Sequence, residues 1–320
     1  MIKYIFEIFM IEGRIMSKIL TGMDKTGSFR VYIGITTDLV EEARKIHETT
    51  PLATAAMGRV LTGTGLMGLM MKNPSDKLTV IFKGDGPAKQ ILATADGEGN
   101  VKGYISNPNL GLPLKPDGHL DVGGAIGKGE LMVIRDMGLK DPYVGKIALV
   151  SGEIAEDLTA YHYISEQQNT AVALGVKVGK DLKVLCSGGM IIQMLPDAKE
   201  EAVDALEKRL GEMESLTTMI EKVILNSKDL SETEQVRKLM DMVFQPMGDE
   251  FAVKVTGEKE MRWHCGCSKD RFEKALMTIG VKDMEEIIRE DEKAELECQF
   301  CRNKYHFNKE ELEEILSHMK

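Results

Sequence analysis

The last fifth of the chain contains four cysteines in two close pairs. One residue separates Cys265 from Cys267, two separate Cys298 from Cys301, and the 30 residues 268–297 lie between the pairs. The chain has only one other cysteine, Cys186. A closed tetrahedral zinc site requires four ligands, and thiolates are the soft ligands that favour this metal. The spacing therefore predicts one Zn²⁺ per chain, bound by all four clustered cysteines.

Two alternatives to an all-cysteine zinc site remain open: a site with a histidine ligand, and an iron–sulfur cluster in place of zinc. His264 and His306 flank the cysteine pairs, so three cysteines and one histidine could also form a site. An iron–sulfur cluster is compatible with the same ligand types. Four thiolates already complete a tetrahedron, which favours the all-cysteine zinc site. A catalytic zinc needs an open position for water, and four cysteines leave none, so we do not expect an enzyme.

The spacer at Gly266 distinguishes this site from a generic zinc module, in which at least two residues separate paired cysteines. Once the metal leaves, Cys265 and Cys267 can close only a small, strained ring, and strained disulfides are the labile, regulatory kind. Zinc keeps its thiolate ligands deprotonated, and oxidants attack that form. Oxidation is therefore expected to eject the metal and to unfold the small C-terminal segment around the cysteines, which is expected to need the metal in order to fold. The alternative is a structural zinc-ribbon interaction module without redox switching.

An acidic run separates the two cysteine pairs. Residues 283–297 contain eight carboxylates against Arg289 and Lys293. The simplest interpretation is a solvated helix face. A second hypothesis is that these like charges repel once the metal is lost and favour the unfolded state. The run also argues against a nucleic-acid-binding ribbon, which would need basic residues there.

Residues 16–196 are predicted to form an α+β domain of antiparallel sheets with packed helices. Helices are expected from Asp38, from Pro51 to about Lys72, and at about 155–167. The order of strands and helices is too irregular for a doubly wound parallel sheet. The strand-like runs, separated by turn-forming residues, are 18–22, 29–36, 77–83, 89–95, 100–105, 130–136, 144–151, 171–178 and 182–194.

Residues 197–250 are predicted to form a helical linker, because apolar residues recur there at intervals of three and four. Ser231 and Glu234 form a capping box at the start of one of its helices. Residues 251–320 contain too few large apolar residues for an independent core and are predicted to be a small zinc-binding redox-switch domain. Residues 1–15 are expected to lie ahead of the natural start at Met16, because a purine-rich ribosome-binding sequence can encode residues 12–14.

A glycine-rich motif at residues 63–68 and the fifth cysteine, Cys186, are both predicted to have structural roles. Residues 63–68 match the dinucleotide fingerprint Gly-x-Gly-x-x-Gly, but they follow a helical pattern rather than a strand, so we expect small residues that allow close packing. Cys186 lies in an apolar run with no neighbouring base, which is typical of a buried structural cysteine.

The composition narrows the class of protein. The chain has 320 residues, a net charge of -10 and a pI near 5.3, which oppose binding to nucleic acid or to anionic membrane. No apolar run reaches the roughly 20 residues of a transmembrane helix, so a soluble protein is expected. Sparse, clustered cysteines fit a reducing cytoplasm rather than a disulfide-bonded secreted protein.

The sequence resembles a known family, the bacterial 33 kDa heat shock protein (33 kDa chaperonin) family of redox-regulated holdase chaperones. The most specific part is 264–269, His-Cys-Gly-Cys-Ser-Lys, followed after the insert by 298–305, Cys-Gln-Phe-Cys-Arg-Asn-Lys-Tyr. Residues 37–40, 105–108 and 188–196 also match, so the resemblance runs from about Met16 to the end of the chain.

The resemblance implies a reduced, zinc-bound, inactive form that oxidative stress and heat convert to an active one. Carried onto this chain, it pairs Cys265 with Cys267 and Cys298 with Cys301. The linker would then lose order, bind unfolded or aggregation-prone client proteins, and the oxidised protein would form a homodimer. The candidate client-binding residues are the apolar positions of the linker: Met213, Leu216, Met219, Ile220, Val223, Leu239, Met240, Val243 and Phe244.

Overall fold

The computed structural model describes residues 16–319 and divides into two compact units, the first ending at Trp263 and the second beginning at His264. The predicted extension, residues 1–15, lies outside the described residues. Among residues 16–319, no helix combines the length and the apolar character needed to cross a membrane.

The first unit contains a ten-stranded sheet in the order β7-β6-β3-β4-β5-β10-β1-β2-β9-β8. All neighbours are antiparallel except β5 and β10, which pair only at Asn100–Arg262 and Val101–Trp263. This confirms the α+β prediction. The strands are β1 Ser17–Asp24, β2 Phe29–Ile35, β3 Lys77–Gly84, β4 Gln90–Asp96, β5 Asn100–Ile105, β6 Gly129–Asp136, β7 Tyr143–Ala148, β8 Thr170–Val178, β9 Val184–Met194 and β10 Val253–Trp263.

Within residues 16–263 of the first unit, seven α-helices pack on this sheet or on each other. They are α1 Thr37–His47, α2 Pro51–Leu69, α3 Val122–Ile126, α4 Ala155–Ile164, α5 Glu200–Glu212, α6 Leu216–Asn226 and α7 Glu232–Phe244, followed by single 3₁₀ turns at Gln245–Met247 and Asp249–Phe251. Pro51 begins α2 because its missing N–H needs no partner at a first helical position. Ser231 and Glu234 cap α7 reciprocally, as predicted.

Helix α2 is buried along nearly its whole length and contains the Gly-x-Gly-x-x-Gly motif. A Cβ added at Gly63, Gly65 or Gly68 would meet a neighbouring side chain closer than ordinary packing allows. The glycines therefore let the sheet and α4 approach the helix closely, which confirms the packing interpretation of this motif.

A separate apolar core lies between helices α5–α7 and strands β1, β2 and β9. The sheet contributes Phe29, whose ring stacks on Phe244 of α7 with centroids 5.8 Å apart. Every candidate client-binding residue belongs to this core: Leu216, Met219, Ile220, Val223, Leu239, Met240, Val243 and Phe244 are buried, and Met213 is partly buried. In this conformation the predicted linker is three helices packed on the sheet.

The boundary predicted at residue 251 differs from the structure. Strand β10 pairs antiparallel with β1, from Met261 opposite Ser17 to Val253 opposite Asp24, and so belongs to the first unit. Its sequence, Val-Lys-Val-Thr-Gly-Glu-Lys-Glu-Met-Arg-Trp, exposes every second residue over its first half and reads as polar. Its place in the sheet depends on backbone pairing with residues more than two hundred positions away, which local composition cannot show.

The second unit is small and contains an antiparallel hairpin with three helices. Its elements are α8 Lys269–Leu276, α9 Val281–Glu290, β11 Lys293–Glu297, β12 Lys304–Asn308 and α10 Lys309–Met319. Its core consists of Leu276, Met284, Phe307, Leu312 and Ile315 with a few partly buried neighbours. A core of this size stabilises a domain weakly by itself, so a bound metal would contribute much of the folding free energy.

Candidate metal centre

Two backbone segments bring the four clustered cysteines together. Cys265 and Cys267 lie in the extended segment just before α8, whose first turn is capped by the Ser268 side chain. Cys298 and Cys301 lie in the turn between β11 and β12. This turn is closed by backbone hydrogen bonds from Cys298 to Asn303 and from Arg302 to Cys298. The hairpin therefore fixes the second pair, and the capped helix end fixes the first.

The four Sγ atoms lie within 4.8 Å of one another. The Sγ atoms of Cys265 and Cys298 are 3.7 Å apart, and those of Cys267 and Cys301 are 3.2 Å apart. A tetrahedral zinc–thiolate site with bonds of about 2.3 Å has sulfurs about 3.8 Å apart. The predicted ligands therefore come together with dimensions that a zinc ion fits.

The flanking histidines do not join this group. His264 is exposed, and the His306 side chain is 70% exposed with Nδ1 3.3 Å from a carboxylate oxygen of Glu295. Within residues 16–319 the group that could hold a metal ion is made only of cysteines. The geometry therefore favours the all-cysteine site over the mixed one.

A tyrosine hydroxyl contacts one of the sulfurs, and the sequence interpretation missed it. The Tyr305 hydroxyl lies 3.1 Å from Cys267 Sγ, and the Tyr305 ring stacks on Phe272 with centroids 4.7 Å apart. The available signal was the position of Tyr305, four residues beyond Cys301 on a strand whose alternate residues face inward.

The sulfurs have different electrostatic environments. Burial alone would raise the pKa of Cys267, but hydrogen bonds from Tyr305 and the other cysteines lower it overall. Burial raises the pKa of Cys301. The hydrogen bond to Cys267 raises the pKa of Tyr305 to about 12, so its hydroxyl stays protonated at neutral pH.

The acidic run is mostly exposed, and part of it is paired with cations from beyond the second cysteine pair. Glu292 contacts Lys309, and Glu295 contacts Lys304, each at 2.7 Å. Glu297 contacts Arg302 at the same distance. The exposed face of α9 agrees with the solvated-helix interpretation. These ion pairs offset repulsion among the carboxylates in the folded unit. Repulsion could therefore favour unfolding only if the paired cations separate from the carboxylates when the metal is lost.

The fifth cysteine, Cys186, is buried and lies outside the four-cysteine cluster. Cys186 lies in β9 with its Sγ 3.6 Å from the Thr217 carbonyl oxygen, to which the thiol donates. Burial raises its pKa to about 11, so the unreactive thiol form persists at neutral pH. This agrees with the structural role predicted for it.

Comparisons with known proteins give the family. The family model described as "Hsp33 protein" matches residues 17–308. The "33 kDa chaperonin" of Clostridioides difficile is 45% identical over 94% of this chain and 99% of its own length, and that of Alkaliphilus metalliredigens is 44% identical over 95% and 99%. The chain belongs to the Hsp33 family. A crystal structure of the 33 kDa chaperonin (heat shock protein 33 homolog) of Thermotoga maritima, 33% identical, matches with a TM-score of 0.80 over 95% of this chain and 98% of its own.

Membership confirms the resemblance inferred from the cysteine motif. Hsp33 proteins are stress chaperones rather than enzymes, so this chain is a chaperone whose partners are client proteins. Its four-cysteine cluster could hold a metal ion.

Proposed function

We propose that this Hsp33 protein is a redox-regulated holdase. In the reduced form, Cys265, Cys267, Cys298 and Cys301 bind one Zn²⁺ and the chaperone is inactive. Oxidation of the four thiolates to two disulfides releases the metal, unfolds the C-terminal region and frees the linker. The observation that carries this proposal is the convergence of four sulfurs within 4.8 Å, in a chain whose candidate client-binding residues are buried.

The oxidation step balances with a two-electron oxidant such as hydrogen peroxide. Each pair of thiolates loses two electrons as one S–S bond forms, and one peroxide molecule accepts them, breaking its O–O bond and taking up two protons to give two water molecules. Two peroxide molecules therefore convert the four thiolates to two disulfides. A disulfide sulfur carries no thiolate charge, so the metal loses its ligands.

We place the disulfides within the pairs, Cys265 with Cys267 and Cys298 with Cys301. Sulfur contacts of 3.7 Å and 3.2 Å in the folded cluster join one pair to the other, so cross-pair bonds are the competing outcome. Once the small unit opens, closing a loop of one or two residues costs less entropy than closing one of about thirty. A strained Cys-x-Cys ring is also readily reduced, which would make the switch reversible.

The linker helices supply the client-binding surface in this proposal. Helix α7 packs on β1, β2 and β10, and β10 ends two residues before Cys265, so the chain runs directly from a strand that contacts α7 to the first cysteine pair. Arg209 of α5 donates to the carbonyl oxygens of Val243 and Met242 at 2.7 and 2.9 Å, which ties α5 to the end of α7. Release of these helices would expose the Met-rich core, and flexible Met side chains adapt to varied partners.

The same exposed surface would support homodimer formation by the oxidised protein. A reducing cytoplasm is the compartment in which four clustered cysteines can remain reduced and available as a switch. Both are part of the proposal.

The test measures zinc and chaperone activity in the same samples. Reduced protein is expected to contain one zinc per chain and not to suppress aggregation of a thermally unfolding client. After treatment with peroxide at mildly elevated temperature, or with hypochlorite, it should lose the zinc, contain the two within-pair disulfides by peptide mapping, and suppress light scattering by the client. Zinc loss without any gain of activity would leave the structural zinc-ribbon function as the better interpretation.

A further inference from the structure

The contact between Tyr305 and Cys267 distinguishes one ligand of the metal centre from the others. In the metal-bound state every coordinating sulfur is a thiolate and can only accept, so the Tyr305 hydroxyl is the donor across the 3.1 Å contact. The ring is held in place by its stack on Phe272 and by the strand pairing of Tyr305 with Leu296. The strand pairing and the ring stack therefore position the donor.

A hydrogen bond to a thiolate withdraws electron density from the sulfur and makes it a weaker nucleophile. Groups that donate to metal ligands tune the site in this way, and hydrogen bonds to sulfur are among the determinants of metal–thiolate redox properties. Oxidation by peroxide begins with attack of the sulfur electron pair on a peroxide oxygen, which forms the sulfenic acid and expels hydroxide. Anything that withdraws that electron pair slows the step.

We propose that Tyr305 is a positioning residue that slows oxidation of Cys267 and thereby raises the oxidant dose at which the switch responds. The inference rests on the proposed redox switch and adds to it a residue that is not a metal ligand. The hydroxyl selectively protects one thiolate of the four. Cys301, whose Sγ lies 3.2 Å from that of Cys267, accepts a hydrogen bond from the backbone N–H of Asn303, and no side-chain substitution removes that donor.

The substitution Tyr305→Phe isolates the hydroxyl because the ring and its stack on Phe272 remain. Loss of one hydrogen bond to an ionised group changes the basicity of the acceptor by roughly one to two powers of ten. With a Brønsted coefficient of about 0.4–0.5, the Cys267 thiolate of Y305F should react with electrophiles about 3- to 10-fold faster. The matched control is Tyr163→Phe, because the Tyr163 side chain is 67% exposed and belongs to the first unit.

The decisive readout is the reactivity of each cysteine in zinc-loaded, reduced protein. Limited alkylation with iodoacetamide, followed by peptide mass spectrometry, gives the rate for each of the four ligands. We expect Y305F to increase modification of Cys267 relative to the other three, and peroxide-driven zinc release to accelerate about 3- to 10-fold, while Y163F matches the wild type. A hydroxyl that only stabilises the fold would raise the reactivity of all four cysteines together.

Two results would overturn the inference: unchanged or slower modification of Cys267 in Y305F, or an equal increase at all four cysteines accompanied by faster zinc loss to a chelator without oxidant. The readout does not require chaperone activity. If Cys267 becomes selectively reactive but oxidised protein binds no client, the role of Tyr305 stands and the holdase proposal fails. If reduced protein contains no zinc, the proposed metal centre fails first.

Discussion

Truncation of Phe244 should activate the chaperone without oxidant. The Phe244 side chain is 2% exposed and stacks on Phe29, across the interface between α7 and the sheet. Replacing a buried phenylalanine by alanine costs about 3–5 kcal/mol through lost burial and the cavity left behind. In a detached linker the side chain is exposed, so this cost falls on the docked state alone. The equilibrium between docked and detached helices should shift by roughly two to nearly four powers of ten towards detachment.

The control for this variant is Phe82→Ala. Phe82 is 1% exposed and lies in the other core of the first unit, with α2, so its truncation should cost a similar free energy of unfolding without favouring release of α5–α7. The assay uses reduced, zinc-loaded protein: client light scattering, and protease sensitivity of residues 200–244. We expect F244A to suppress aggregation and to be cut in the linker, and F82A to do neither. If both variants lose the same stability and F244A stays inactive, burial of this core does not hold the chaperone inactive.

Three further predictions concern single side chains. Cys298→Ser should abolish stoichiometric zinc binding and make residues 264–319 protease-sensitive, while the first unit keeps its melting temperature. The control variant Cys186→Ser should keep its zinc. Equal zinc contents in the two variants would contradict the assignment of Cys298 as a zinc ligand. Burial lowers the pKa of His162 from 6.5 to about 4, so the free energy of unfolding should decrease by up to about 3 kcal/mol as the pH falls from 6.5 to 4. Denaturant titrations across this pH range should show a smaller loss of stability for His162→Leu than for the control His119→Leu, whose side chain is exposed in the wild type. Arg209→Met removes two hydrogen bonds to carbonyl oxygens at the end of α7 and should lower the peroxide dose for half-maximal activation; an unchanged dose would show that α5 contributes nothing to retention of α7.

The sequence was sufficient for the features that depend on local pattern. The strand-like runs from residue 18 to 194 correspond to β1–β9, and the amphipathic pattern after residue 197 corresponds to α5–α7. The convergence of the four clustered cysteines followed from their spacing, because a thiolate site is defined by few residues with strict chemistry. The capping box at Ser231 was recognisable because its two hydrogen bonds link residues three positions apart.

The missed features depend on distant contacts. β10 is polar on one side, and β11 and β12 are five residues each, so none has a run of apolar residues that would identify it. The contact of the Tyr305 hydroxyl with Cys267 forms only because the hairpin brings together two residues that are 38 positions apart in the chain. The ion pairs of Glu292, Glu295 and Glu297 were hidden for the same reason, since their cations follow the second cysteine pair.

Hydrogen exchange of the linker helices during oxidation tests the central claim most directly. Aliquots of zinc-loaded protein would be taken at increasing peroxide dose, and amide protection of residues 200–244 would be compared with zinc release and client binding in each aliquot. The account predicts that protection in α5–α7 falls at the same dose at which zinc is released and client binding appears. Client binding by oxidised protein whose α5–α7 amides remain as protected as in the reduced form would contradict it.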